Sequence, residues 1–265
     1  MIRTKIFTFG LLALIILSPN FSLAKQNDDI VILWADSFSK AEKIKLTKWL
    51  VSTFKACEKV LGKYTFDYSL IVHRRENANE PVPWAHTSRL KVQSVHFYVN
   101  PEFSLKEFLD DWTAVHEISH LSIPFLGTEQ KWFAEGYATY AQNLILLDMG
   151  IYDKLRYDKK YKYKLNNARP YFKKDESYIY VLKSLGNNSM YSEMYYGGAC
   201  FFLELDRKFR SEFGNSFLFY IKKYQECCRQ GFSTLDEFIF EIDKLTKSKI
   251  ASNFLKELNK KQLIF

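Results

Sequence analysis

Cysteine is scarce in this chain, four in 265 residues, and no two stand in a Cys-x-x-Cys pair. A thiolate zinc knuckle needs that spacing, so none is indicated. Histidine is almost as scarce, at five, which makes a chance metal-ligand spacing improbable. No internal repeat and no low-complexity linker interrupts the sequence, which excludes a solenoid. The chain is 47% hydrophobic and 17% aromatic, which excludes a disordered composition and suits one globular domain with a substantial core. A net charge of +8 leaves contact with an anionic envelope surface open and says nothing about fold.

Long apolar runs are lacking too. Residues 6–17 are apolar but too few to span a bilayer comfortably as a permanent helix. Arg3 and Lys5 precede the run, Pro19 follows it, and Ser22 and Ala24 place small residues where a signal peptidase reads. Residues 1–24 are therefore expected to be a cleaved signal peptide, with an uncleaved anchor as the other reading. No cysteine follows Ala24, which argues against a lipoprotein. The mature chain, 25–265, is expected to be exported, periplasmic or secreted. Cys57, Cys200, Cys227 and Cys228 allow three full pairings, and one disulfide or buried thiols is the expectation.

The patterning predicts an α+β fold: a small α/β N-terminal lobe (25–103) followed by a mostly helical lobe (104–265). Residues 30–34 read as a buried strand. A helix starts at the N-cap Ser39, with Ile44, Trp49, Leu50, Phe54, Cys57 and Leu61 at threes and fours, and stops at Gly62. "TFDYSLIVHRR" and "KVQSVHFYVN" alternate as strands, and the proline-bearing "ENANEPVPWAH" between them reads as a loop. One helix is predicted from Ser104 through Ile118, closed by Pro124 and Gly127. A second runs through "TEQKWFAEGYATYAQNLILLDMG". Residues 151–192 read as irregular, and the remainder as helices.

Within the first of these helices, "HEISH" places His116 and His120 one turn apart, so both imidazoles leave the same face. One metal ion can bridge that pair. Glu117, beside the first ligand, can face the open coordination position and act as a base. The competing reading is a polar helix face with two histidines. Two imidazoles need a third protein ligand. Glu135 follows His120 by fifteen positions (135 − 120), on a helix that the turn at 124–127 folds back. Its apolar neighbours Trp132, Phe133, Ala134, Gly136 and Tyr137 argue against an ordinary surface carboxylate.

The pair His116-Glu117-x-x-His120 and Trp132-Phe133-Ala134-Glu135-Gly136 resembles the gluzincin metallopeptidases, nearest their aminopeptidase-N-like and glycyl-aminopeptidase-like groups. The resemblance covers roughly residues 90–250. It implies one Zn2+ held by His116, His120 and Glu135, with Glu117 as general base. It also implies a tyrosine that stabilises the oxyanion, in "MYYGGACFFLELDRKF". Tyr195 matches, three residues before Gly198, and Tyr196 is the alternative. Two departures stand out. The interval from His120 to Glu135 is shorter than in the aminopeptidase-N-like enzymes. The strand that would carry an acid for the substrate's ammonium, "KVQSVHFYVN", has none. The resemblance implies a zinc peptidase acting on peptides or proteins, and the missing acid favours an endopeptidase over an aminopeptidase. "KVQSVHFYVN" could still hold an extended peptide by edge pairing.

Thr139, Asp110 and Asp111 are candidates to hold the ligands from behind. His73, His86 and His96 carry no ligand spacing and read as structural. The basic and aromatic stretch from Tyr152 reads as a solvated segment covering the cleft rather than a nucleic-acid site, since an exported protein meets little nucleic acid. A catalytically silent peptidase-like binding or assembly module is the competing function. The oligomeric state is unknown from sequence.

Overall fold

The computed structural model describes residues 22–24, 30–89, 92–173 and 175–261. Most of the expected signal peptide lies outside the described residues. Its last three, β1 (Ser22–Ala24), pair antiparallel with β2 (Ile32–Trp34) at one edge of the sheet. Removal after Ala24 would leave a four-stranded sheet.

Between β2 and β3 (Tyr68–Arg74) runs α1 (Lys40–Leu61). Ser39 and Glu42 close a reciprocal capping box at its start, and Gly62, at φ +95°, ends it. Leu46, Trp49, Leu50, Phe54, Cys57 and Leu61 form its buried face. β4 (Trp84–Arg89) and β5 (Gln93–Val99) complete a sheet of order β1-β2-β3-β5-β4. β2, β3 and β5 are parallel, and β4 is antiparallel to β5. Strand alternation puts Leu70, Val72, Val95, Phe97 and Val99 into the core, with Phe97 edge-on to Trp49 at 5.4 Å. The other face carries His73, His86, His96, Trp84 and Tyr98 as one stack, with His86 over His96 at 4.6 Å and His73 over Tyr98 at 4.4 Å. Burial, with His86 and His73 beside it, pushes the His96 imidazole down to about 4. Three histidines scattered in sequence are thus neighbours in register.

The helical part begins with α2 (Leu105–Asp110) and α3 (Thr113–His120), which the sequence pattern had suggested as one helix. Asp111 breaks it. Its backbone is extended, and its carboxylate accepts from the Thr113 N–H at 2.8 Å, a side chain competing with the helical ladder. Gly127, at φ +85°, turns the chain into α4 (Lys131–Asp148). Residues 151–192 are not irregular, contrary to the sequence reading. They form α5 (Lys154–Ala168), a 3-10 turn and α6 (Tyr178–Asn187). α5 buries only Tyr157, Tyr161 and Ala168, too thin an apolar stripe to register as periodic. α7 (Tyr191–Phe213), α8 (Phe217–Cys227), α9 (Leu235–Thr246) and α10 (Ile250–Leu258) follow. Sheet and helices share one continuous core, giving an α+β fold. Cys227 and Cys228 form a disulfide between adjacent residues, and Cys57 and Cys200 are free and buried.

Two glycines fix how the central helices meet. A Cβ at Gly136 would lie 2.5 Å from the Gly198 backbone, and one at Gly198 would lie 2.6 Å from the Trp132 carbonyl oxygen. α4 and α7 therefore touch backbone to backbone at the turn bearing Glu135 and the turn after Tyr195. Carbon atoms pack at about 3.5–4.0 Å, so Gly136→Ala must push the helices apart by roughly 1 Å. Chemical denaturation of that variant should show a loss of about 1–3 kcal/mol. An unchanged midpoint would contradict the close contact.

Candidate metal centre

α3 is buried on every side but that of Glu117: Ala114, Val115, His116, Ile118, Ser119 and His120 are each nearly inaccessible. Its register is held at the C-terminal end by two arginines. Arg89 of β4 donates to the His120 and Ile123 carbonyls at 2.5 and 3.1 Å. Arg229 donates to the Leu121 carbonyl at 3.0 Å, and both guanidiniums share Gln93 Oε1. Cations on the last carbonyls of a helix satisfy unpaired acceptors and oppose its dipole. Burial, with Arg229 adjacent, pushes Arg89 down to about 10, still protonated at neutral pH. Sequence reasoning missed both arginines, because neither lies near the motif in the chain.

Across from α3, α4 presents Glu135. Its Oε2 lies 3.0 Å from His116 Nε2 and 3.5 Å from His120 Nε2. One ligand atom from each of the three residues falls within 4.8 Å of the others. Tetrahedral zinc with bonds of about 2.0–2.1 Å sets its donors roughly 3.3 Å apart, so the three atoms are spaced for one ion. His116 Nδ1 lies 3.0 Å from Gln142 Oε1, two helical turns beyond Glu135 on α4. With the amide oxygen as acceptor, Nδ1 carries the proton and Nε2 offers a lone pair to the Glu135 carboxylate. Two acceptors at 3.0 Å repel unless a cation lies between them, and a proton or a metal ion meets that need. Burial opposes charge on His116, but Glu135 outweighs it and raises the imidazole. Burial likewise pushes Glu135 up, and His120 and His116 outweigh it and hold the carboxyl well below the usual carboxylate range. The donor set, two imidazoles and a carboxylate, suits zinc.

The residues expected to support the ligands are differently employed. Gln142, which the sequence reading did not single out, takes that place behind His116. Thr139 is buried on the same helix, its hydroxyl without a hydrogen bond among the described residues. Asp111 accepts from the Thr113 N–H at the start of α3, and Asp110 pairs with Lys106.

Glu117 projects into the cavity beside the ligands. The Thr87 hydroxyl of β4 lies 2.9 Å from its Oε2 and 3.0 Å from its backbone carbonyl oxygen, so the edge strand sets the carboxylate's direction. Tyr195 stacks on the His116 ring, with centroids 5.7 Å apart and planes 20° from parallel. Burial first, and the Glu135 carboxylate second, raise its phenol, so it stays a donor. Tyr196, the alternative, is buried on the other side of α7 and packs edge-on to Tyr161 at 5.8 Å. Tyr195 is thus the tyrosine brought to the site.

A cavity of about 510 Å³ opens over these groups, walled by Trp84, His86, Thr87, Lys131 and Ala134, with Glu117 and Glu135 its only lining carboxylates among the described residues. Among the described residues, none of the stretch from Tyr152 lines it. That basic segment packs against α7 and helps to line a separate hollow with Trp112 and Asp110. Nor is "KVQSVHFYVN" an edge: β5 lies between β3 and β4. The edge beside the cavity is β4, half of which the sequence reading assigned to a loop because of Pro81 and Pro83 just before it.

No family model matches the sequence, and no curated protein matches it. Solved structures do. An aminopeptidase N family protein from Idiomarina loihiensis superposes with a TM-score of 0.63 at 17% identity, covering 92% of this chain and 48% of that one. Native leukotriene A4 hydrolase from Saccharomyces cerevisiae gives 0.58 at 13%, covering 92% and 40%. An M1 zinc metallopeptidase variant from Deinococcus radiodurans, bound to a Tyr-Ser-Ala substrate, gives 0.55 at 11%, covering 92% and 53%. The chain spans about half the length of the structures it matches. Over nearly all of its length this chain therefore shares its fold with those three proteins.

Proposed function

We propose that the protein is an exported zinc-dependent peptidase that cuts within polypeptide chains. The observation that carries this reading is the convergence of His116 Nε2, His120 Nε2 and Glu135 Oε2 beneath an open cavity, with Glu117 and Tyr195 at its wall. His116, His120 and Glu135 would hold one zinc ion, which would supply Lewis acidity to the reacting carbonyl and to water. Glu117, aimed by Thr87, takes a proton from the attacking water. It returns that proton to the departing nitrogen as the C–N bond breaks, so the amide and water become an acid and an amine. Tyr195 donates its O–H to the oxyanion formed at the former carbonyl. Export rests on the N-terminal pattern of two cations, an apolar run and small residues at 22 and 24.

The wall supports cleavage within chains. A substrate's free ammonium needs a carboxylate, and both lining carboxylates are already employed, one as ligand and one as base. Thr87 stands on the edge strand without charge, and Lys131 adds a cation that repels an ammonium. Internally quenched peptides with blocked N-termini are therefore expected to be cut, and aminoacyl anilides to be cut poorly. A chelator should stop both reactions. Preference for free N-termini would overturn the endopeptidase reading, and a zinc-loaded protein inert toward every peptide would favour the silent binding module.

A further inference from the structure

A second cavity, of about 730 Å³, adjoins the first, and the two share Phe125, Leu126 and Gly127 as a common ridge. The ridge is tied down. The Phe125 N–H donates to the Gly231 carbonyl at 2.9 Å, and the Ser233 N–H donates to the Phe125 carbonyl at 3.1 Å. Gly127 leaves a gap on top, because a Cβ there would meet nothing within 4 Å. Beyond it the second cavity has Trp132, Ile179 and Leu255 in its wall, together with Lys183, Asp236 and Glu237. At its rim stand Phe125 and Phe232, 36% and 59% exposed, edge-on at 5.8 Å. What sets this pair apart is contact: the two rings form one exposed apolar patch at the mouth of a cavity.

β4 leads toward the ridge. Thr87 meets Glu117, and two residues later Arg89 meets His120 and Ile123, just before Pro124. An extended chain paired along β4 is carried past the ligands and onto residues 125–127. We infer that the second cavity is a subsite of the same cleft, holding a large apolar side chain of the polypeptide being cut, several residues from the scissile bond. This rests on the peptidase reading. It names the substrate class as extended polypeptides rather than di- and tripeptides.

The test uses quenched peptides identical around the cleaved bond and lengthened one residue at a time at either end, with the distal residue Phe or Ser. Burial of one such side chain corresponds to roughly a ten- to hundredfold gain. The expected result is a step of that size in kcat/KM at one length, on one side, for Phe and not for Ser. Phe232→Ser should remove the step and leave the shortest peptide's rate unchanged. A smooth length dependence, or a step that survives Phe232→Ser, would overturn the subsite. If no peptide is cut, the peptidase reading fails separately, and the same labelled peptides are titrated by fluorescence anisotropy. A Phe-dependent gain in binding that Phe232→Ser abolishes then supports the subsite, and no gain overturns it.

Discussion

Glu117→Gln is expected to keep the metal and lose turnover, with kcat falling roughly 100- to 10,000-fold. That is about 3–5 kcal/mol of transition-state stabilisation. Glutamine matches glutamate in size, and its amide oxygen can still accept from the Thr87 hydroxyl 2.9 Å away. What it lacks is a basic oxygen to take the proton from water and deliver it to nitrogen. The loss should therefore fall on kcat, with KM little changed. Zinc content, measured on the same sample, separates loss of the base from loss of the ligands. Turnover within a few-fold of wild type would remove Glu117 from the mechanism.

Stripping the metal is expected to lower the melting temperature by roughly 8–16 °C. Zinc at about a thousand times its dissociation constant contributes about 4 kcal/mol by mass action. A domain of this size shifts roughly 2–4 °C for each kcal/mol. The ligands lie in the middle of the fold: His116 and His120 are 2% and 7% exposed, and Glu135 reaches them from a different helix. An ion shared by α3 and α4 binds the folded chain far more strongly than the unfolded one. Thermal melts with chelator and with added zinc measure the shift, and Glu135→Ala should flatten it. Superimposed wild-type melts would mean that no ion joins the two helices.

What could be read in the sequence was mostly local. His116 and His120 are one helical turn apart, and Glu135 lies just beyond a glycine turn, so one hairpin of helices is enough to bring the three together. Tyr195 was reached only by resemblance, and the structure supplies the physical reason: Gly198 meets Gly136, which sets the tyrosine beside the turn carrying Glu135. The supports were out of reach. Thr87 comes to Glu117 from 30 residues upstream, and Arg229 comes to Leu121 from 108 downstream. Nothing in a local pattern marks such pairs. β4 was half hidden by the prolines before it, and α5 by a surface of lysines and tyrosines with little apolar periodicity. The break at Asp111 depends on one side-chain hydrogen bond, which hydrophobic spacing does not register.

Elemental mass spectrometry of the purified, folded chain tests the central claim most directly, with Glu135→Ala measured beside it. Close to one zinc per wild-type chain, and little in the variant, is the predicted result. A folded wild type that takes up no zinc when the ion is supplied would contradict the account, leaving His116, His120 and Glu135 as a buried polar cluster joined by a proton.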